Sequence, residues 1–308
     1  MTKKSLEAYL KPRIFDVRVS DQQVVRAYEV GPPDVPLVVG IHGTPNTGLA
    51  HVACYVANAP LFCRLITFDR QGYGGSTPEP GRKVTDIVHV VEAVLDHLGA
   101  GSAALYGHSG GGMLALAAAA LIPKRVSKAA CVSGNGPNTG SGGFDYTQGP
   151  SPLMQEEIVE ARNNPAASRE FYRRVAAKLL DPEIERQLYS ENDMRVGILL
   201  APLREKLARE LELMDSPYSE EEAYVDDAQS WAAPWGFELG SIAVPTRFFY
   251  GLDDLMVARH HSEWMRSQIP NAGIDLFPHY GHSLSQLMPY VLAWLVSDSL
   301  TPLGSGSL

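Results

Sequence analysis

Gly107-His108-Ser109-Gly110-Gly111 places a serine at the centre of a G-x-S-x-G pattern, between an apolar run, Ala103 to Gly107, and an alanine-rich run that ends at Leu121. A strand, a sharp turn and a helix in that order would leave the Ser109 hydroxyl standing at the carboxyl end of a sheet. The free N–H groups of the following helix would favour negative charge developing beside it. Such a turn needs small neighbours, because a Cβ at 107 or 111 would meet the backbone of an adjoining strand or helix. The same glycines also serve a plainer task, close packing of helix on strand. A serine hydroxyl is a weak nucleophile unless a base takes its proton, and the usual base is a histidine oriented by a carboxylate. Two later stretches offer both. Asp253 and Asp254 follow the run Thr246 to Gly251, and His279 and His282 follow Ile274 to Pro278. The order Ser, Asp, His suits nucleophilic acyl chemistry on an open α/β sheet, with both aspartates and both histidines in play.

These residues need a scaffold, and the pattern of apolar runs predicts one. Ile14–Val19 and Val24–Val30 flank a polar Ser-Asp-Gln-Gln turn and read as an antiparallel hairpin at one edge. Six further runs follow: Pro36–Gly43, Arg64–Asp69, Ala103–Gly107, Lys128–Gly134, Thr246–Gly251 and Ile274–Pro278. Most are apolar throughout, as expected for parallel strands covered on both faces by helices. Between them, Thr85 to Gly99 predicts a helix with Thr85 as N-cap, an apolar stripe of Ile87, Val88, Val91, Val94, Leu95 and Leu98, and Gly99 as its stop. His89 and His97 on this helix read as solvated or packing residues. From Pro137 to Trp235 strand signals cease and helix-like segments follow one another. The expected organisation is a core domain made of residues 1–136 and 236–308, with a helical cap, or lid, inserted at 137–235.

Bulk properties exclude several classes. With 308 residues, 45% hydrophobic and 20% charged, the chain has the composition of an ordinary soluble globular protein. A net charge of −9 and the lack of a long basic run argue against nucleic acid as a partner. No window reads as a membrane span, and no apolar h-region follows the basic N-terminus, so the expected location is cytoplasmic. The three cysteines, Cys54, Cys63 and Cys131, lack CxxC spacing and read as small buried hydrophobes. His260, His261, His279 and His282 lack metal-ligand spacing, so no metal is expected. The polar tail 301–308 is expected to be mobile. Nothing in the sequence sets an oligomeric state.

Two more stretches bear on family. His42-Gly43-Thr44-Pro45 opens a segment that resembles an HG-x-P loop, and Asp69 to Ser76, DRQGYGGS, resembles a D-x-x-G-x-G-x-S loop. With the serine turn and the later Asp and His, the sequence resembles the α/β-hydrolase superfamily, in particular the cap-bearing branch of esterases, proline iminopeptidases and epoxide hydrolases. The resemblance implies an α/β-hydrolase fold, with a mostly parallel eight-stranded sheet, helices on both faces and a helical cap insertion. It implies Ser109 as nucleophile, His282 as base and Asp254 as acid. The choice of Asp254 over Asp253 rests on the family's G-x-x-D spacing from Gly251, and His279 becomes a loop residue. It also implies an oxyanion hole built from the backbone N–H groups of Thr44 and Gly110. His42 and Pro45 then shape the loop, and Asp69, Arg70, Gly72, Gly74 and Ser76 are turn and hydrogen-bond residues.

Serine at 109 sets aside epoxide hydrolase and haloalkane dehalogenase chemistry, which uses an aspartate there. The expected activity is hydrolysis of a neutral, partly hydrophobic carboxylic ester, thioester or lactone through an acyl-enzyme, without a cofactor. An aminopeptidase of the proline iminopeptidase type ranks behind it, because that branch's HGGPG and GGSWG motifs read here as HGTPN and GHSGG. An acyltransferase or cyclase, a lyase, and a non-enzymatic ligand receptor are further alternatives on the same scaffold. The predicted cap holds 19 acidic and 10 basic residues, read first as solvated lid faces and second as a preference for neutral or cationic substrates. Its aromatics, Phe144, Tyr146, Phe171, Tyr172, Trp231 and Trp235, are expected in the lid core, some lining an apolar pocket.

Overall fold

The computed structural model describes residues 7–138, 144–177, 181–211 and 220–297, so the polar tail 301–308 lies outside the described residues. Eight strands form one sheet: β1 (Arg13–Arg18), β2 (Val24–Val30), β3 (Leu37–Ile41), β4 (Arg64–Phe68), β5 (Ala103–His108), β6 (Val126–Val132), β7 (Thr246–Gly251) and β8 (Gly273–Phe277). Their spatial order is β1-β2-β4-β3-β5-β6-β7-β8. The β1–β2 hairpin is antiparallel, with Ile14 opposite Tyr28, and β2 also runs antiparallel to β4; every other pair is parallel.

Strand periodicity explains the continuous apolar runs. Val39, Ile41, Leu105, Cys131 and Phe248 point to one face, where they meet α2 (Ile87–His97), α3 (Gly110–Leu121) and α9 (Arg259–Gln268). Their neighbours Val38, Ala104, Tyr106, Val132 and Phe249 point to the other, where they meet α1 (Gly48–Asn58) and α10 (Met288–Val296). With both faces covered, a polar strand side chain is costly, and Thr67 of β4 is buried between the layers. All three cysteines are free and buried in these layers.

The α2 segment departs from expectation at its start. Val84–Asp86 is a 3-10 turn, and the Asp86 carboxylate accepts the Lys83 N–H at 2.7 Å. Thr85 therefore sits inside the turn instead of capping it, because a longer acidic side chain one position later reaches back to the orphan donor. Val90 joins the buried stripe, and Gly99, at φ +64°, ends the segment as predicted. His89 is exposed and His97 stacks on Phe15 at 4.9 Å.

Between β6 and β7 come α4 (Pro152–Asn163), α5 (Pro165–Ala176), α6 (Pro182–Leu188), α7 (Glu191–Glu210) and α8 (Glu220–Ala232), with no strand among the described residues. Ser151, Asn164, Asp181 and Ser190 cap the first four, each accepting a backbone N–H. Leu153, Phe171, Leu188, Tyr224 and Ala228 form a separate small core among these helices. Helix α7 lies on α1, with Leu203 and Leu207 against Leu49 and Val52. Trp231 and Trp235 pack instead with the main sheet, while Phe144 and Tyr146 form a third cluster with Ile158. Among the described residues no helix is long and apolar enough to cross a membrane.

Because Leu207 carries the contact of α7 on α1, Leu207→Ala is expected to cost about 2–4 kcal/mol. A thermal melt of the variant checks this; an unmoved transition would contradict it.

Candidate active site

Ser109 sits between β5 and α3 at φ 55° and ψ −126°, a left-handed conformation that a side chain tolerates only under constraint. The constraint is backbone crowding. A Cβ on Gly107 would strike the Gly111 carbonyl, and one on Gly111 would strike the Ile41 carbonyl of β3. The Ser109 N–H donates to the Val132 carbonyl at 2.8 Å and its carbonyl accepts the Gly112 N–H at 2.8 Å, which pins the turn on both sides. The glycines thus bring helix and strand together, and that closeness leaves the serine in its strained position.

The neighbouring strand ends supply the other two groups. His282, beyond β8, bonds through Nδ1 to Asp254 Oδ2, just beyond β7, at 2.8 Å. The second Asp254 oxygen accepts the N–H groups of Met256 and Val257 at 2.9 and 3.0 Å, so this buried carboxylate is saturated on both sides. Asp253 is exposed, as is His279 in its loop. Burial alone would lower the His282 pKa; the Asp254 charge and hydrogen bond, aided by Asp193, outweigh it and raise it above the ordinary imidazole value. Ser109 and His282 line one cavity of about 490 Å³. The structure records no hydrogen bond between their side chains, a contact that in ligand-free enzymes often tightens only when substrate binds.

Thr44 follows β3 and Gly110 opens α3. The two residues adjoin, since a Cβ on Gly110 would lie 3.3 Å from Thr44 Oγ1. Neither backbone N–H has a partner among the described residues. The carbonyl of the Gly43–Thr44 peptide accepts from His42 Nδ1 at 2.7 Å and Arg70 Nη2 at 3.1 Å, which directs the opposite, N–H edge away from Arg70. His42 Nε2 accepts the Arg70 N–H at 2.9 Å, so the ring is neutral with its proton on Nδ1. Burial, then the Arg70 charge, holds His42 well below the ordinary value.

The Thr44 side chain is an anchor. Its hydroxyl donates to Asp227 and accepts from Arg70 Nη2 at 2.6 Å. Asp227, on α8, also binds Arg70 through both oxygens at 2.8 and 2.6 Å, Arg82 at 2.6 Å and the Tyr73 hydroxyl at 2.8 Å. Burial would raise its pKa, but the two guanidinium groups hold it well below the carboxylate range. The sequence reading of an acidic solvated face holds for Glu221 and Glu222, which pair with Arg169 and Arg173 outside. For Asp227 it fails, because two arginines from another loop draw it inward. The expected hydrogen-bond role of Asp69 to Ser76 is what the structure shows: Asp69 accepts from Gly48, Tyr28 and Gly75, and Ser76 Oγ donates to the Asp69 carbonyl at 2.6 Å.

The cavity walls are mostly apolar, with Phe171, Val175, Leu188 and Val196 from the inserted helices. Asp193, Arg204 and two glutamates join them. Glu157 takes the Tyr224 hydroxyl and is lifted by burial, against that bond, to about 6. Glu220 accepts the Tyr172 hydroxyl at 2.9 Å. No salt bridge reaches either among the described residues. His108 and His51 also line the cavity, pressed by burial to about 4 and about 3.

The chain is similar to known proteins over most of its length. The sequence model described as "alpha/beta hydrolase fold" matches residues 36–285. A 2-hydroxy-6-oxononadienedioate/2-hydroxy-6-oxononatrienedioate hydrolase of Cupriavidus pinatubonensis is 27% identical over 256 residues, 80% of each chain. A proline iminopeptidase of Arabidopsis thaliana is 31% identical over 131 residues, 41% of this chain, which thus spans only 34% of that relative's length. Among solved structures, a thermophilic esterase of Thermogutta terrifontis superposes with a TM-score of 0.66 at 20% identity, covering 92% of this chain and 100% of that one. The enol-lactonase of Burkholderia xenovorans gives 0.63 at 19% identity, covering 91% and 96%.

Removing Asp227 would strand two buried guanidinium groups. Asp227→Ala is therefore expected to cost about 3–5 kcal/mol, read from the midpoint of urea unfolding at constant slope; an unshifted midpoint would refute the role given to this carboxylate.

Proposed function

The chain belongs to the α/β hydrolase fold family, and from that premise we propose that it is a serine hydrolase of carboxylic esters, thioesters or lactones. The observation that carries this reading is the Asp254–His282 pair at 2.8 Å, opening on the cavity that the strained Ser109 also lines. Substrate seats its carbonyl carbon over Ser109 Oγ and its oxygen toward the N–H groups of Thr44 and Gly110. His282 Nε2 takes the serine proton as the C–O bond forms. Asp254 keeps the proton on Nδ1 and stabilises the imidazolium. The tetrahedral oxyanion collapses, His282 protonates the departing alcohol or thiol, and the same base then activates water to release the acid and free Ser109. Residues 137–235 act as the cap, and their apolar wall suits a neutral, partly hydrophobic acyl or alcohol group.

A second reading has its own support. Glu157 and Glu220 line the cavity with no salt bridge to either among the described residues, although Arg204 lines it too, so the same triad could act on an amide whose free amine these carboxylates bind. The iminopeptidase relatives carry that activity in their name. Ester hydrolysis stays ahead because the cavity wall is predominantly apolar.

Ser109→Ala is expected to lower turnover of a chromogenic short-chain ester at least about a thousandfold and to abolish fluorophosphonate labelling; retained activity would sink the triad. A panel of esters, lactones and aminoacyl amides on both proteins separates the two readings, the second requiring the amides to be the better substrates. The pH profile follows from His282. It works as a neutral base, so kcat/KM falls as pH drops through its raised pKa, with the limb above the ordinary value of about 6.5. In Asp254→Asn the residual activity should lose that upward displacement.

A further inference from the structure

Helix α7 begins with a capping box. Ser190 Oγ accepts the Asp193 N–H at 3.2 Å and Asp193 Oδ2 accepts the Ser190 N–H at 3.1 Å. Such boxes normally sit at the surface and serve only their own helix. In this one the Asp193 side chain is buried and has outside partners: Oδ2 also accepts the N–H of His282 at 3.1 Å, and Oδ1 accepts the N–H of Ser283 at 2.6 Å. The loop is shaped to admit it, since a Cβ on Gly281 would overlap both the Asp193 carboxylate and the Ser190 hydroxyl. Val196, Gly197, Leu200 and Ala201, on the same face of α7 at helical spacing from Asp193, line the cavity. One helix therefore walls the cavity and grips the backbone of the histidine within it.

We propose that Asp193 is a positioning residue for the base: it fixes the His282 loop from the inserted helices and ties competence of the triad to the seating of α7. This rests on the serine-hydrolase reading above. Two backbone N–H bonds to one carboxylate hold the loop in place, and the negative charge stabilises the protonated imidazole. The groups facing His282 are Asp254 from the turn after β7, Asp193 from α7 and His108 from β5, whose ring lies 4.9 Å away, with His51 of α1 beyond it. His108 at about 4 and His51 at about 3 do not titrate between about pH 5 and 9. Glu157, near 6, lines the cavity in wild type and variants alike.

The test compares kcat, KM and the pH profile of kcat/KM, with fluorophosphonate labelling rate as an independent readout, in wild type, Asp193→Asn, Gly281→Ala and Ser190→Ala. Loss of the charge lowers the His282 pKa, so a neutral base persists to lower pH. In Asp193→Asn the acid limb should move down by about half a unit or more, and kcat should fall about tenfold with a smaller change in KM. Gly281→Ala should reproduce this by displacing the carboxylate. Ser190→Ala, which removes the cap and the 2.8 Å bond from the Ser190 hydroxyl to Asp193 Oδ2 but keeps the charge and both loop bonds, should lower the melting temperature and move the limb less than Asp193→Asn does. An unmoved limb in both Asp193→Asn and Gly281→Ala, or an equal shift in Ser190→Ala, would overturn the proposal while leaving the triad intact. Full labelling of Ser109→Ala would instead remove the triad, and this role with it.

Discussion

At Gly107 and Gly111 the backbone of β5, α3 and β3 comes so close that no side chain fits between them. That contact fixes how deeply α3 sits on the sheet, and with it the direction in which the chain leaves β5. Ser109 takes up the difference as a strained φ, and the helix N-terminus is delivered beside its hydroxyl. The remaining functional groups arrive at the same end of the sheet because β3, β5, β7 and β8 run parallel there and each ends in a short loop. A looser fit at these two glycines would leave Asp254 and His282 in place but shift Ser109 and Gly110 with the helix.

Ionic contacts do for the loops what close packing does for the sheet. Asp227 neutralises Arg70 and Arg82 in a buried setting, and through Arg70 and Thr44 it reaches the Gly43–Thr44 peptide. Asp193 holds the loop that carries His282 by accepting two of its backbone N–H groups. Both carboxylates come from the helices between β6 and β7, so the inserted segment is part of the construction of the site and not merely a cover over it.

The sequence made some of this legible for definite reasons. Strands β3 to β7 could be read because they are largely buried on both faces and so carry nearly unbroken apolar runs, while the more exposed β1, β2 and β8 showed through shorter apolar stretches set off by turn residues. The serine turn was legible because steric demand leaves glycine alone acceptable on either side. Asp254 and Asp253 were separable only by resemblance, since they follow the same strand at adjacent positions and differ in which one the turn directs at His282. Asp227 and Asp193 could not be found at all. Their partners lie 157 and 89 residues away, and an inward aspartate has the same letter as the solvated acids around it. Thr85 was misplaced for a related reason: two capping residues stood side by side, and the longer reach of Asp86 decided between them.

The carboxyl of Glu157 adds a property of another kind to the cavity. Held near 6 by its apolar surroundings and by one tyrosine, it carries a full negative charge in mildly alkaline surroundings and little below about 6. The chamber around Ser109 thus carries one negative charge more in a medium poor in protons than in an acidic one, on a wall that Asp193, Glu220 and Arg204 also share. Selectivity in such a chamber belongs jointly to its walls and to the solution that fills it.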